Sequence, residues 1–262
     1  MTGVQTCALP ISSTLAHPTG LLNIKRVEEL CKVMSDLKNA GNEIIIVSSG
    51  AIGMGAGKLV LSEKPKDIRT KQAAAAVGQC ELMYTYDKLF SEYNHTVAQI
   101  LITGEDIEHA ERSRNFENTM LRLLELGAIP IINENDSVAT DEIVIGDNDT
   151  LGAIVAKSIS ADLLILLSDI DGLFTADPHK DKNAVLLSEV KEITPEIEGM
   201  TGGAGSRLGT GGMTTKLNAA KIATAAGIDM VIANGKEPTV LYDITEGKRV
   251  GTKFLSRKAE NQ

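Results

Sequence analysis

Residues 44–57 read Ile44-Ile45-Ile46-Val47-Ser48-Ser49-Gly50-Ala51-Ile52-Gly53-Met54-Gly55-Ala56-Gly57. A short, unbroken β-branched run passes directly into small polar residues and then into glycines. Continuous apolar character, rather than alternation, predicts a strand buried on both faces, as in a parallel sheet covered by helices. The glycines predict a loop whose backbone N–H groups can approach an anion, with a following helix N-terminus adding partial positive charge. A flexible strand–helix turn is the plainer alternative, but four glycines between Gly50 and Gly57 exceed what a turn needs. The common nucleotide loops do not fit. Position 52 is Ile and position 59 is Leu, which excludes a P-loop around Lys58, and Gly53, Gly55 and Gly57 do not make G-x-G-x-x-G.

Outward from this strand the chain alternates. Val27, Leu30, Met34 and Leu37 recur at helical spacing before Gly41, and 67–92, 113–126, 148–160 and 214–226 read as further helices. In the 113–126 helix, Met120, Leu121 and Leu124 are expected on one side. Strands are predicted at 97–102, 129–132, 142–145, 163–167 and 230–233. Pro130 places the 129–132 segment at a sheet edge or a strand start. Strand–helix alternation at this spacing predicts an α/β fold, with a mostly parallel sheet covered on both faces. No repeat or linker divides the chain, so one domain is expected over 13–262, and 171–212 is expected to form a nucleotide-side lobe. Residues 1–12, MTGVQTCALPIS, are set apart. They lack the charged and apolar regions of a signal peptide, and Pro10 interrupts their only apolar run. They are similar to translated sequencing-adapter read-through and are expected to be foreign to the design.

Composition limits the function. The 262 residues carry 26 Lys+Arg against 35 Asp+Glu, a net charge of −9, which disfavours nucleic acid as a partner. Aromatics are 3% and Trp is absent, so a base-stacking surface is not expected. No apolar run approaches a membrane span. Three widely spaced cysteines, Cys7, Cys31 and Cys80, fit neither a disulfide framework nor a zinc site, and predict a reducing, cytoplasmic setting.

Ligands of such sheets sit beyond the carboxyl ends of the strands. After the 129–132 strand comes Asn133-Glu134-Asn135-Asp136-Ser137, where acids and amides together suit a zwitterion, although a plain polar loop would look similar. Gly146-Asp147-Asn148-Asp149-Thr150 opens a helix; one residue is needed as its cap, and the others are free to face a ligand. Ser168-Asp169-Ile170-Asp171-Gly172 would be a calcium loop only with Glu at position 180, which is Lys180. Gly209-Thr210-Gly211-Gly212-Met213-Thr214-Thr215-Lys216 leads glycines into a helix with a lysine on its first turn, the set of groups a phosphate tail needs.

Taken together, VSSGAIGMG (47–55), KQAAAAVGQ (71–79), PIINENDSVAT (130–140), IGDNDTLGA (145–153), LLSDIDGLFTADP (166–178) and GTGGMTTKLNAAKIA (209–223) resemble the amino acid kinase family, and in particular its glutamate-phosphorylating branch. The resemblance spans about Ser13 to Phe254. It implies a three-layer α/β/α sandwich and ATP-dependent phosphorylation of the L-glutamate γ-carboxylate, the first step of proline synthesis. By resemblance Ser49, Asp136 and Asn148 would hold glutamate. Ser168, Asp169, Thr210, Gly211, Gly212, Met213, Thr214, Thr215 and Lys216 would hold ATP. Lys216 would act on the transferring group, and Asp149 would organise the catalytic lysines. Mg²⁺ is expected on the nucleotide phosphates rather than in a protein metal site. A homo-oligomer is expected, with proline a candidate feedback inhibitor. N-acetylglutamate as acceptor, and an impaired ligand-binding role, are the alternatives. The second follows from a departure at the N-terminus: where the family carries Lys-x-Gly on its first strand, this chain has Leu9-Pro10-Ile11. Many relatives also carry a C-terminal PUA domain, and this chain ends at Gln262 without one, as short members do.

Overall fold

A computed structural model describes residues 22–63, 65–138, 147–178, 180–200 and 212–256. In chain order the elements are α1 (Ile24–Asn39), β1 (Ile46–Val47), α2 (Ala51–Lys58), α3 (Ile68–Ser91), β2 (Val97–Ile102), α4 (Gly104–Glu108), α5 (Ala110–Glu125) and β3 (Ile129–Glu134). There follow α6 (Asn148–Ser158), β4 (Leu163–Ser168), β5 (Glu189–Val190), α7 (Pro195–Gly199), α8 (Met213–Ala225), β6 (Asp229–Asn234), α9 (Val240–Thr245) and β7 (Thr252–Phe254). The predicted 142–145 strand lies outside the described residues.

The strands form two ladders, β1-β3-β2 and β4-β6-β7-β5, parallel throughout except where β7 runs against β6. Side chains leave each strand alternately to opposite faces. Ile45, Val47, Ile132, Leu164, Leu166, Met230 and Ile232 enter one core, with Phe116 and Met120 of α5, Leu151 of α6 and Leu217 of α8. Ile44, Ile46, Ile131, Ile165, Leu167 and Val231 enter the other, with Leu30 and Met34 of α1, Tyr86 and Phe90 of α3 and Leu241 of α9. Each core draws on both ladders, so the strands form one layer between two helical layers. This is the expected α/β/α sandwich with a mostly parallel sheet.

Local sequence explains the helices. Asn23 caps α1 by accepting from the Arg26 N–H at 3.3 Å, and Asp67 caps α3 by accepting from the Thr70 N–H at 2.9 Å. One expectation needs correction. Leu121 is 40% exposed while Met120 is fully buried, because one position is a 100° turn on a helix and only Met120, Leu124 and Phe116 share the inner stripe. Of the two placements expected for Pro130, the strand start is the one found, since β3 is central in its ladder and not an edge. The proline is tolerated as the second residue of that strand: described pairing with β1 begins only at Ile131, after the missing N–H.

Candidate active site

Hydrogen bonding runs past the strand ends and fixes where the functional loops begin. The Ser48 N–H donates to Ile132 O at 2.7 Å, Asn135 N–H to Ile102 O at 2.8 Å, and Gly235 N–H to Ser168 O at 2.8 Å. Ser48, Asn135 and Gly235 therefore sit together along the carboxyl edge of the sheet, where ligands of this architecture bind.

The glycine segment after β1 does not form the expected anion loop. Gly50 adopts φ +93° as the N-cap, and Ala51 to Lys58 are already helix α2. Gly55 serves packing: a Cβ on it would lie 1.7 Å from Ala74 O of α3, and one on Gly78 would lie 1.7 Å from Ala51 O. The two backbones touch there, which only paired glycines allow. This contact seats α3 against the end of β1.

A cleft of about 410 Å³ opens at that junction, lined by Ala51, Gln79, Cys80, Glu134, Asn135 and Asp136 among others. Asp136, an expected glutamate ligand, is there, half-buried, and burial pushes its carboxyl above the usual carboxylate range. Ser49 is buried at 6% exposure with its Oγ unpartnered among the described residues, but it is not among the residues lining this cleft. Asn148 is likewise absent from that lining and stands on the first turn of α6.

The α6 and α8 N-termini form a second cluster. Asp147 is the cap of α6, accepting from the Thr150 N–H at 2.7 Å and the Thr150 hydroxyl at 2.9 Å. That leaves Asp149, 7% exposed, to face α8. Lys216 Nζ donates to Asp149 Oδ2 at 2.9 Å, and the Thr215 hydroxyl donates to the same oxygen at 2.8 Å. Gly212 is the cap of α8, whose first-turn N–H groups add positive potential beside the lysine. Thr210 and Gly211 lie outside the described residues, as do Leu9, Pro10 and Ile11. Ser168 is buried at the end of β4, its hydroxyl donating to Asp169 Oδ1 at 3.1 Å. The Asp171–Gly172 turn is tied down elsewhere: Asn234 Nδ2 donates to Asp171 Oδ1 at 2.7 Å and the Leu173 N–H to Thr252 Oγ1 at 2.8 Å.

Residues 11–234 match the amino acid kinase family. The chain belongs to that family. Among its relatives, the glutamate 5-kinase of Clostridium perfringens is 53% identical over 253 residues, covering 95% of this chain and 94% of the relative. That of Clostridium tetani is 57% identical over 247 residues, covering 94% and 92%. Amino acid kinase folds among solved structures superpose at lower identity. Carbamate kinase from Giardia lamblia bound to AMP-PNP gives a TM-score of 0.68 at 16% identity, covering 98% of this chain and 100% of that one. UMP kinase from Bacillus anthracis gives 0.64 at 16% identity, covering 98% of each chain. At such identity these structures speak to the fold alone.

One site residue was missed by reading the sequence for function. Gln79 shares the buried stripe of α3 with Ala75, Leu82, Tyr86 and Phe90. A polar residue breaking an apolar stripe was the available signal.

Proposed function

We propose that this chain transfers the γ-phosphoryl group of ATP to the γ-carboxylate of L-glutamate, forming L-glutamyl 5-phosphate for proline synthesis. The observation that carries it is identity of 53% and 57% to relatives named glutamate 5-kinase along nearly the whole chain. The geometry supports it. A glutamate γ-carboxylate, with a pKa of about 4.3, is ionised at neutral pH, so the nucleophile needs no general base. The difficulty is bringing one anion against another. Charge must be neutralised and the reactants aligned, which is work for fixed cations and backbone donors.

Lys216 meets that need. Asp149 holds its ammonium beside the N-terminus of α8, where the phosphoryl group in flight would meet both the cation and the helix N–H groups. Ser168, Asp169 and Gly212 to Thr215 are assigned to ATP, and Ser49, Asp136 and Asn148 to glutamate. Among the described residues no group of three or more His, Cys, Asp or Glu side chains is arranged to hold a metal ion. By the family resemblance Mg²⁺ is assigned to the nucleotide phosphates, whose charge it would offset. Asp136 favours glutamate over N-acetylglutamate, because a carboxylate pairs with an ammonium and has nothing to accept from a blocked nitrogen beyond one N–H. The family resemblance adds a homo-oligomer and feedback by proline, both tested by sizing and assay with and without proline. No described helix is long and apolar enough to cross a membrane.

Hydroxylamine trapping of the acyl phosphate, with ATP, Mg²⁺ and either glutamate or N-acetylglutamate, tests the reading. Hydroxamate from glutamate is expected. Hydroxamate from N-acetylglutamate alone would assign the acceptor otherwise.

A further inference from the structure

The Gln79 side chain is held in one orientation and leaves its donors unanswered. The Glu134 backbone N–H donates to Asn133 Oδ1 at 2.9 Å, so Asn133 must present Nδ2 on its other side. That Nδ2 donates to Gln79 Oε1, also at 2.9 Å. Turning the Gln79 amide over would set two NH₂ groups against each other, so the relay fixes Nε2 as the end of the amide turned away from Asn133. Gln79 is 8% exposed, and Nε2 is buried with no partner among the described residues. Buried donors in native proteins are matched, so such an orphan at a cleft wall marks a missing acceptor.

The surroundings specify its chemistry. Gln79 lines the same cleft as Asp136 and Cys80. Asp136 accepts and suits an ammonium; Gln79 Nε2 only donates and suits a carboxylate oxygen. We propose that Gln79 is a positioning residue that donates from Nε2 to a carboxylate of the acceptor amino acid, setting that carboxylate opposite the ammonium held by Asp136. This rests on the glutamate reading above and adds a residue to it.

The test uses two variants. Gln79→Glu keeps an oxygen for Asn133 but replaces the donors with charge; Gln79→Met removes donors and acceptor without adding charge. Both are expected to raise the glutamate KM roughly ten- to a hundredfold and leave the ATP KM within about twofold. The α-amide of glutamate locates the bond: a smaller penalty with it assigns the α-carboxylate, an equal one the γ-carboxylate. A normal glutamate KM in either folded variant overturns the proposal. A rise in Gln79→Met alone would mean that Gln79 merely props Asn133. Iodoacetamide labelling of Cys80, an exposed thiol on the cleft wall, gives a readout without turnover. Glutamate should protect Cys80 in the wild-type chain and much less in either variant. Wild-type protein that neither forms hydroxamate nor is protected would instead sink the glutamate reading itself.

Discussion

Lys216 and Asp149 form a buried ion pair, Nζ to Oδ2 at 2.9 Å, between the first turns of two different helices, with side-chain exposures of 10% and 9%. Its position is informative. An ion pair in this setting adds little net stability, because desolvating both charges cancels much of their attraction. A lone cation at a helix N-terminus, where the backbone potential is already positive, is unfavourable, and Asp149 offsets it here. Under the proposed function the pair is read as a preorganised phosphate contact rather than a structural staple.

This separates two effects by mutation. Lys216→Ala should lower kcat by about 10²–10³ as a lost charge stabiliser, and destabilise the fold by about 3–5 kcal/mol by stranding Asp149. The double variant Lys216→Met/Asp149→Leu should recover most of that stability and none of the turnover. Urea titration beside the hydroxamate assay checks it. Recovery of turnover with stability would make the pair structural.

Asp136 gives a pH prediction. Burial raises its pKa in the folded protein, so the unfolded chain releases this proton first and the group costs stability as pH rises through the folded value. Asp136→Asn should therefore raise the melting temperature of the ligand-free protein at pH 7–8, with the gain vanishing in acid. Function runs oppositely. The ammonium needs the ionised acid, so wild-type glutamate KM should rise as pH falls through the raised value. Asp136→Asn should show a KM more than about tenfold higher and nearly flat with pH, with the ATP KM unchanged. Equal rises in both KM values would refute the assignment.

The contact of α2 with α3 distinguishes glycines that look alike in sequence. Gly55→Ala or Gly78→Ala drives a Cβ into backbone at 1.7 Å. About 1–3 kcal/mol or more should be lost, together with glutamate affinity, since α3 carries one wall of the cleft. Gly53→Ala meets nothing within 4 Å and should stabilise α2 by about 0.5–1 kcal/mol. Denaturant midpoints for the three variants decide. Equal effects would mean that the close contact is not maintained.

These cases show what the sequence made legible. Ile44 to Val47 read as a doubly buried strand because burial on both faces leaves no polar alternation, and all four are 0–1% exposed. Lys216 and Asp149 could be named from their motifs, with Asp149 as organiser of the lysines by family resemblance, but the bond itself needs two helices distant in the chain to meet. Gly55 could not be told apart from its neighbours in sequence, because cradling an anion and admitting a neighbouring helix both call for a missing Cβ, and only the position of Ala74 O distinguishes it. Gln79 stayed hidden inside an Ala-rich helix because its bond to Asn133, 54 positions away, exists only in the fold.

The family's first strand carries a lysine and a glycine where this chain has Leu9 and Ile11, with Pro10 between them. Three effects follow. By the family resemblance a phosphate-facing cation would be lost, worth about 10²–10³ in kcat by analogy with other charge stabilisers. A branched side chain replaces the residue that lets backbone approach a ligand. Proline withholds a ladder donor from a strand the family places in its sheet. Replacing residues 1–12 with a segment ending Val-Lys-Val-Gly-Thr should raise both the melting temperature and hydroxamate formation, while a replacement ending Val-Leu-Val-Gly-Thr should raise only the melting temperature. The pair of replacements separates strand from cation. Should the chain as written match the lysine-bearing replacement in turnover, Lys216 suffices and the first-strand lysine is dispensable here.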